Sequence, residues 1–142
     1  MKRSLLWLFV AVSLVLSVSA AAQSKLRTVN LGREGLPFEV SETLARGQIT
    51  VVEFASRSCS SCRNLEEKLS QLQSASPKLA IRRVEIDRLG SQGVDWQSPL
   101  VRQYNLSSVP HFKIYDATGK LISEGEPARK QVIELMRQAQ VL

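Results

Sequence analysis

The sequence predicts an α/β domain, a mixed β-sheet covered by helices on both faces. Residues 49–55, Ile-Thr-Val-Val-Glu-Phe-Ala, are rich in β-branched side chains and read as a buried central strand. Directly after it, Leu65, Leu69 and Leu72 recur at i, i+4 and i+7, the spacing of one helix face, while Arg63, Glu66, Glu67 and Gln71 fall elsewhere. Further on, the alternating run His-Phe-Lys-Ile-Tyr-Asp (111–116), the turn Ala117-Thr118-Gly119 and a second run to Glu124 read as a β-hairpin.

Taken from the amino terminus, Lys2 and Arg3 precede an almost wholly apolar stretch from Leu5 to Val18, which leads into Ser19-Ala20-Ala21-Ala22. A basic start, a short apolar run and small residues are the layout of a secretory signal, so residues 1–22 are expected to be removed after Ala20 or Ala22. As a helix the run would reach only about 21 Å, short for a membrane span, which leaves an uncleaved amino-terminal anchor as the alternative. Residues 23–48 form a polar lead-in to the domain, with a strand expected near Leu26 to Leu31. The domain proper, 49–142, then runs strand 49–55, helix Cys59 to about Ser74, strand Ala80 to Ile86 and a short helix Ser98 to Tyr104. The hairpin follows, and a closing helix from about Pro127 to Gln138 carries Val132, Leu135, Met136 and Ala139 on its apolar side.

Of 142 residues, 44% are hydrophobic and 23% charged, a globular composition that is neither collagenous nor low in complexity. Cleavage would leave 120 residues and lower the formal charge from +6 to +4, because Lys2 and Arg3 leave with the signal. A chain of that size buries about two thirds of its unfolded surface, so its core does not depend on a staple. The basic residues, Arg82, Arg83 and Arg88 among them, are read as a solvated surface; no basic motif interleaved with aromatics points to nucleic acid. The two cysteines stand together as Cys59-Ser60-Ser61-Cys62, and outside the cytosol such a pair is readily oxidised.

Residues 49–138 resemble the thioredoxin-like proteins. The resemblance rests on Val51-Val52-Glu53-Phe54 ahead of the motif, Cys59-Ser60-Ser61-Cys62 itself, Val84-Glu85-Ile86-Asp87, Val109-Pro110 before the hairpin, and Gly119 in its turn. At the amino end of a helix, unpaired backbone N–H groups and the helix dipole favour a thiolate at Cys59, with Arg57 and Arg63 close by in sequence. Cys59 is then the attacking nucleophile and Cys62, one turn further in, the resolving thiol. The resemblance further implies that Glu53 is a buried acid beneath Cys62, acting as its proton acceptor. It implies that Pro110 is the family's cis-proline, and that Val109 offers backbone N–H and C=O to an extended substrate. An inert disulfide clip is disfavoured, because so small a loop constrains the unfolded chain little.

This sequence departs from the family's Trp-Cys-Gly-Pro-Cys at the motif, with Ser58 in place of the Trp and Ser60-Ser61 in place of Gly-Pro. It also carries roughly eight extra residues between Asp87 and Tyr104, at the carboxyl edge of the parallel strands where the cysteines lie. Trp96 falls in that insertion and is expected to cover the cysteine pair, or else to pin its own loop. The resulting reading is an exported, monomeric thiol-disulfide oxidoreductase, periplasmic, with the Cys59–Cys62 pair and no dissociable cofactor. Its partners would be protein thiols or disulfides and a membrane electron donor or acceptor. Reduction stands slightly ahead of oxidation or isomerisation. The alternative is copper binding or metal delivery through the two thiolates and His111, the sole histidine.

Overall fold

The computed structural model describes residues 26–142; the predicted signal, residues 1–22, lies outside them. The chain runs β1 (Arg27–Thr28), a 3₁₀ turn (Val40–Thr43), β2 (Ile49–Ala55), α1 (Ser60–Ala75), β3 (Leu79–Glu85), α2 (Pro99–Tyr104), β4 (His111–Tyr115), β5 (Leu121–Glu124) and α3 (Glu126–Gln138). One five-stranded sheet has the order β1-β3-β2-β4-β5. The first three neighbours are parallel, and β4 and β5 return antiparallel. Among the described residues, no helix is long and apolar enough to cross a membrane.

β2 lies at the centre, and its alternation divides the molecule into two cores. Val51 joins Ile81, Phe112 and Ile114 under α1 and α3, where Leu69, Leu72, Val132 and Met136 close the layer. Val52 and Phe54 face the other way, with Val84 and Ile86, onto Leu100 and Val101 of α2 and onto Phe38 and Val40. The lead-in therefore supplies core side chains, Leu26 to one face and Phe38 and Val40 to the other.

The strand expected over Leu26 to Leu31 is only two residues long, because Asn30 replaces main-chain pairing with its side chain. Its amide donates to Glu85 O at 2.8 Å and accepts from Glu85 N–H at 2.9 Å. The chain then turns, and Gly35 donates to the same Glu85 carbonyl. Gly35 adopts φ +68°, and a Cβ there would stand 2.6 Å from Arg88 N and 2.8 Å from Ile86 O, so only glycine allows this approach. The 3₁₀ turn has no apolar periodicity to announce it in the sequence.

The reading of the basic residues as a solvated surface is corrected at Arg83, which is buried. Alternation on β3 aims it beneath α1, where two acidic side chains meet it. Arg82 is half-buried, its Nε donating to Thr43 O, and Arg88 is exposed and paired with Asp95 at 2.7 Å.

Candidate active site

Cys59 is the N-cap of α1 and Cys62 lies in its first turn; the two are joined as a disulfide, with Cα atoms 5.3 Å apart. The helix starts there because the chain from Ala55 is held tightly. Ile86 N–H donates to Ala55 O, Cys59 N–H to Ser56 O, and Ser58 N–H to Ser56 Oγ at 3.0 Å. Ser56 Oγ in turn donates to Asp87 Oδ2 at 2.6 Å, which ties the turn to the end of β3.

The two sulfurs have unequal surroundings. Cys62 is fully buried, whereas Cys59 retains 8% exposure, and both pack on Ala55 and Val109. Cys62 N–H donates to Cys59 Sγ at 3.2 Å, and the Ser61 hydroxyl lies 3.2 Å from the same sulfur. Both donors would hold a thiolate at Cys59 after reduction, alongside the helix dipole. Neither neighbouring arginine takes that part in this arrangement: Arg57 Nη2 donates to Asp87 O at 2.9 Å, and Arg63 Nη1 to Arg57 O at 2.8 Å.

The Val109–Pro110 bond is cis, and the Val109 carbonyl oxygen stands 3.7 Å from Cys59 Sγ. A cavity of about 290 Å³ opens beside this loop, bounded by Ser61, Val109, Pro110 and His111 and, across it, by Gly125 and Arg129. A larger depression of about 690 Å³ lies along the flank of α1, lined by Leu26, Arg63 and Glu66 among others; neither cysteine nor the Val109-Pro110 loop borders it.

Glu53 occupies the middle of β2, on the same face as Val51 and Ala55, and thus beneath the helix that carries the cysteines. It is fully buried, and neither carboxyl oxygen has a hydrogen-bond partner among the described residues. Arg83, its register partner on β3, stands 3.7 Å away, an ion-pair distance too long for a hydrogen bond. Burial pushes the Glu53 carboxyl up to about 7; Arg83 pulls in the opposite direction, and Glu66 and Glu85 add to the rise. Such a group changes protonation near neutral pH, as a general acid or base must.

Asp87, also fully buried, is satisfied by Ser56 Oγ and by Asp95 N–H at 2.9 Å, with Arg57 Nε at 3.9 Å. Glu85 completes this hub, accepting from Arg57 and Asp87 N–H groups at 3.3 and 3.1 Å, while burial raises its own pKa. Through Asp95 the hub reaches the insertion that bears Trp96, a residue 43% exposed whose backbone N–H donates to Val94 O.

His111 turns to the other face of the sheet. Its Nε2 lies 3.3 Å from Glu124 Oε1 and its ring meets Phe54 edge-on, with centroids 6.0 Å apart. Burial lowers its pKa, opposed by the bond to Glu124. Among the described residues no three His, Cys, Asp or Glu side chains converge as a metal site, so the donor set considered for copper is not assembled.

Arg83, Glu66 and Asp87 are parts of this site to which the sequence reading gave no role. The available signal was the charged pair Arg82-Arg83 inside an otherwise apolar run, since β-alternation must turn one of the two inward.

A family model described as a thioredoxin-like domain matches residues 37–140. Among solved structures, the chain is similar to oxidised thioredoxin O2 of Arabidopsis thaliana, at 19% identity and TM-score 0.54, covering 82% of this chain and 95% of that one. It is similar also to spinach chloroplast thioredoxin f, at 16% identity and TM-score 0.55, with 82% and 94% covered. A third match is oxidised thioredoxin of Plasmodium falciparum, at 20% identity and TM-score 0.52, with 77% and 95% covered. No curated protein matches the sequence.

Proposed function

Because the chain belongs to the thioredoxin-like family, we propose that it exchanges disulfides with protein substrates through Cys59 and Cys62, reducing them in preference to oxidising or isomerising them. The observation that carries the reading is the asymmetry of the pair. Cys59 keeps an exposed edge and two donors at its sulfur, while Cys62 is sealed one turn behind it.

In the reductive direction the Cys59 thiolate attacks one sulfur of a substrate disulfide. Its S–S bond breaks, the first substrate thiolate leaves, and a mixed disulfide forms. Cys62 then gives its proton to the Glu53 carboxylate and attacks Cys59 Sγ. The second substrate thiolate departs and the Cys59–Cys62 disulfide remains, two electrons having passed to the substrate. The Val109 backbone, whose carbonyl already faces Cys59 Sγ, pairs with an extended substrate segment beside Pro110. Trp96 offers an exposed apolar ring on the neighbouring loop. The pair serves as its own redox centre without a dissociable cofactor, and a membrane electron donor regenerates the dithiol.

The amino-terminal layout supports export to the periplasm, with retention by an uncleaved signal as the other arrangement, and the exported chain acts as a monomer. The test is a pair of variants. Cys59→Ser abolishes exchange, whereas Cys62→Ser still attacks and accumulates mixed disulfides that are visible on non-reducing gels. Full activity in both variants would refute the assigned roles.

A further inference from the structure

We propose that Glu66 is a positioning residue for the proton acceptor: from its half-exposed place on α1 it shares the Arg83 guanidinium with Glu53 and keeps Glu53 from being held as a full ion pair. The inference rests on the reading of Glu53 as the acceptor of the Cys62 proton. Arg83 Nη1 lies 3.4 Å from Glu66 Oε2, a hydrogen bond, and 3.7 Å from Glu53 Oε2, which receives none. One buried cation thus stands between two acids, nearer to the one with access to water. Glu66 borders the open depression along α1 and has access to water, while Glu53 is sealed from it.

The consequence is electrostatic. A carboxylate that owned this guanidinium would be stabilised as an anion and would be a poor base at neutral pH; with the cation divided, burial dominates and Glu53 can take up a proton. Of the other elements around Glu53, β3 contributes Glu85, which also disfavours the anion. β4 places Phe112 opposite, and α3 buries Ala128, Val132 and Met136 in the same core, none of them charged. The i+4 spacing of Cys62 and Glu66 sets the thiol and this arm on one side of α1.

The test is the titration of the Glu53 side-chain carboxyl, followed by carbon NMR in the oxidised full chain. Glu66→Gln should lower its midpoint from about 7 by about one unit, as Arg83 turns wholly to Glu53. Glu67→Gln, on the exposed neighbour that bonds Gln71, should leave the midpoint where it is. When the reduced protein is mixed with a disulfide substrate, the acid limb of the rate at which Cys62 resolves the Cys59 mixed disulfide, expelling the substrate thiolate, should move by the same amount in Glu66→Gln. An unmoved midpoint in Glu66→Gln, or an equal shift in Glu67→Gln, would overturn the inference. Because the titration requires no thiol exchange, loss of the catalytic reading would show as absent exchange with the midpoint still shifted.

Discussion

Glu53 and Asp87 are both fully buried acids close to one disulfide, and the protein treats them in opposite ways. Asp87 receives the Ser56 hydroxyl at 2.6 Å, which anchors the turn before Cys59, and the Asp95 N–H at 2.9 Å, which anchors the loop after β3. Glu53 receives no hydrogen bond and has only a shared arginine at 3.7 Å. The difference separates an acid bonded into the framework from one that is not. A carboxylate with its lone pairs occupied holds neighbouring segments in place, while one left short of partners can change protonation without dismantling anything around it.

The largest expected effect comes from breaking the framework side. Asp87→Ala strands the Ser56 hydroxyl and the Asp95 N–H, and should lower stability by about 4 kcal/mol in denaturant unfolding; a loss below about 1 kcal/mol would erase the contrast.

Next comes the pH dependence of Glu53. Its carboxyl rises from an ordinary 4.5 to about 7 in the folded protein, so the folded state binds more protons than the unfolded state between those values. Its contribution to stability is therefore full below about 4.5 and is lost as pH rises through about 7, a difference of about 3 kcal/mol. Subtracting the unfolding free energies of Glu53→Gln from those of the wild type, across pH 4.5 to 8, should isolate that slope. A flat difference would mean that Glu53 does not titrate as described.

Gly35→Ala sharpens the framework side further. A Cβ pressed on Arg88 N and Ile86 O at φ +68° should cost about 2 kcal/mol, because the turn must move away from the strand end that carries Asp87. Smallest is Arg88→Ala, which removes an exposed partner of Asp95 but leaves the Asp95 N–H on Asp87. The unfolding midpoint should scarcely move.

Much of the fold was legible because its signals are local. The β-branched run at 49–55 became β2 with those same bounds, and Leu65, Leu69 and Leu72 do face the core from α1. Cys59 was expected to open the helix and instead caps it, a one-residue difference that leaves its sulfur accepting the Cys62 N–H of the first turn. Less legible were features that depend on pairing between distant strands. Arg82 and Arg83 look equivalent in the sequence, and only the register with Glu53 and the position of Glu66 make Arg83 a buried partner. The short β1 was hidden for a similar reason, since Asn30 ends it by bonding a residue 55 positions away. His111 follows Pro110 directly and invited a place beside the sulfurs, but alternation along β4 sends it to Glu124.

Disulfide exchange through Cys59 and Cys62 is tested most directly by the equilibrium between their dithiol and disulfide in glutathione or dithiothreitol buffers, with free thiols trapped by alkylation. The pair should exchange reversibly, with two electrons, at a potential of about −270 to −200 mV, the range of thioredoxin and glutaredoxin reductants. A value near about −180 to −120 mV would turn the direction towards isomerisation or oxidation. A pair that never exchanged with either buffer would rule out Cys59 and Cys62 as a redox centre.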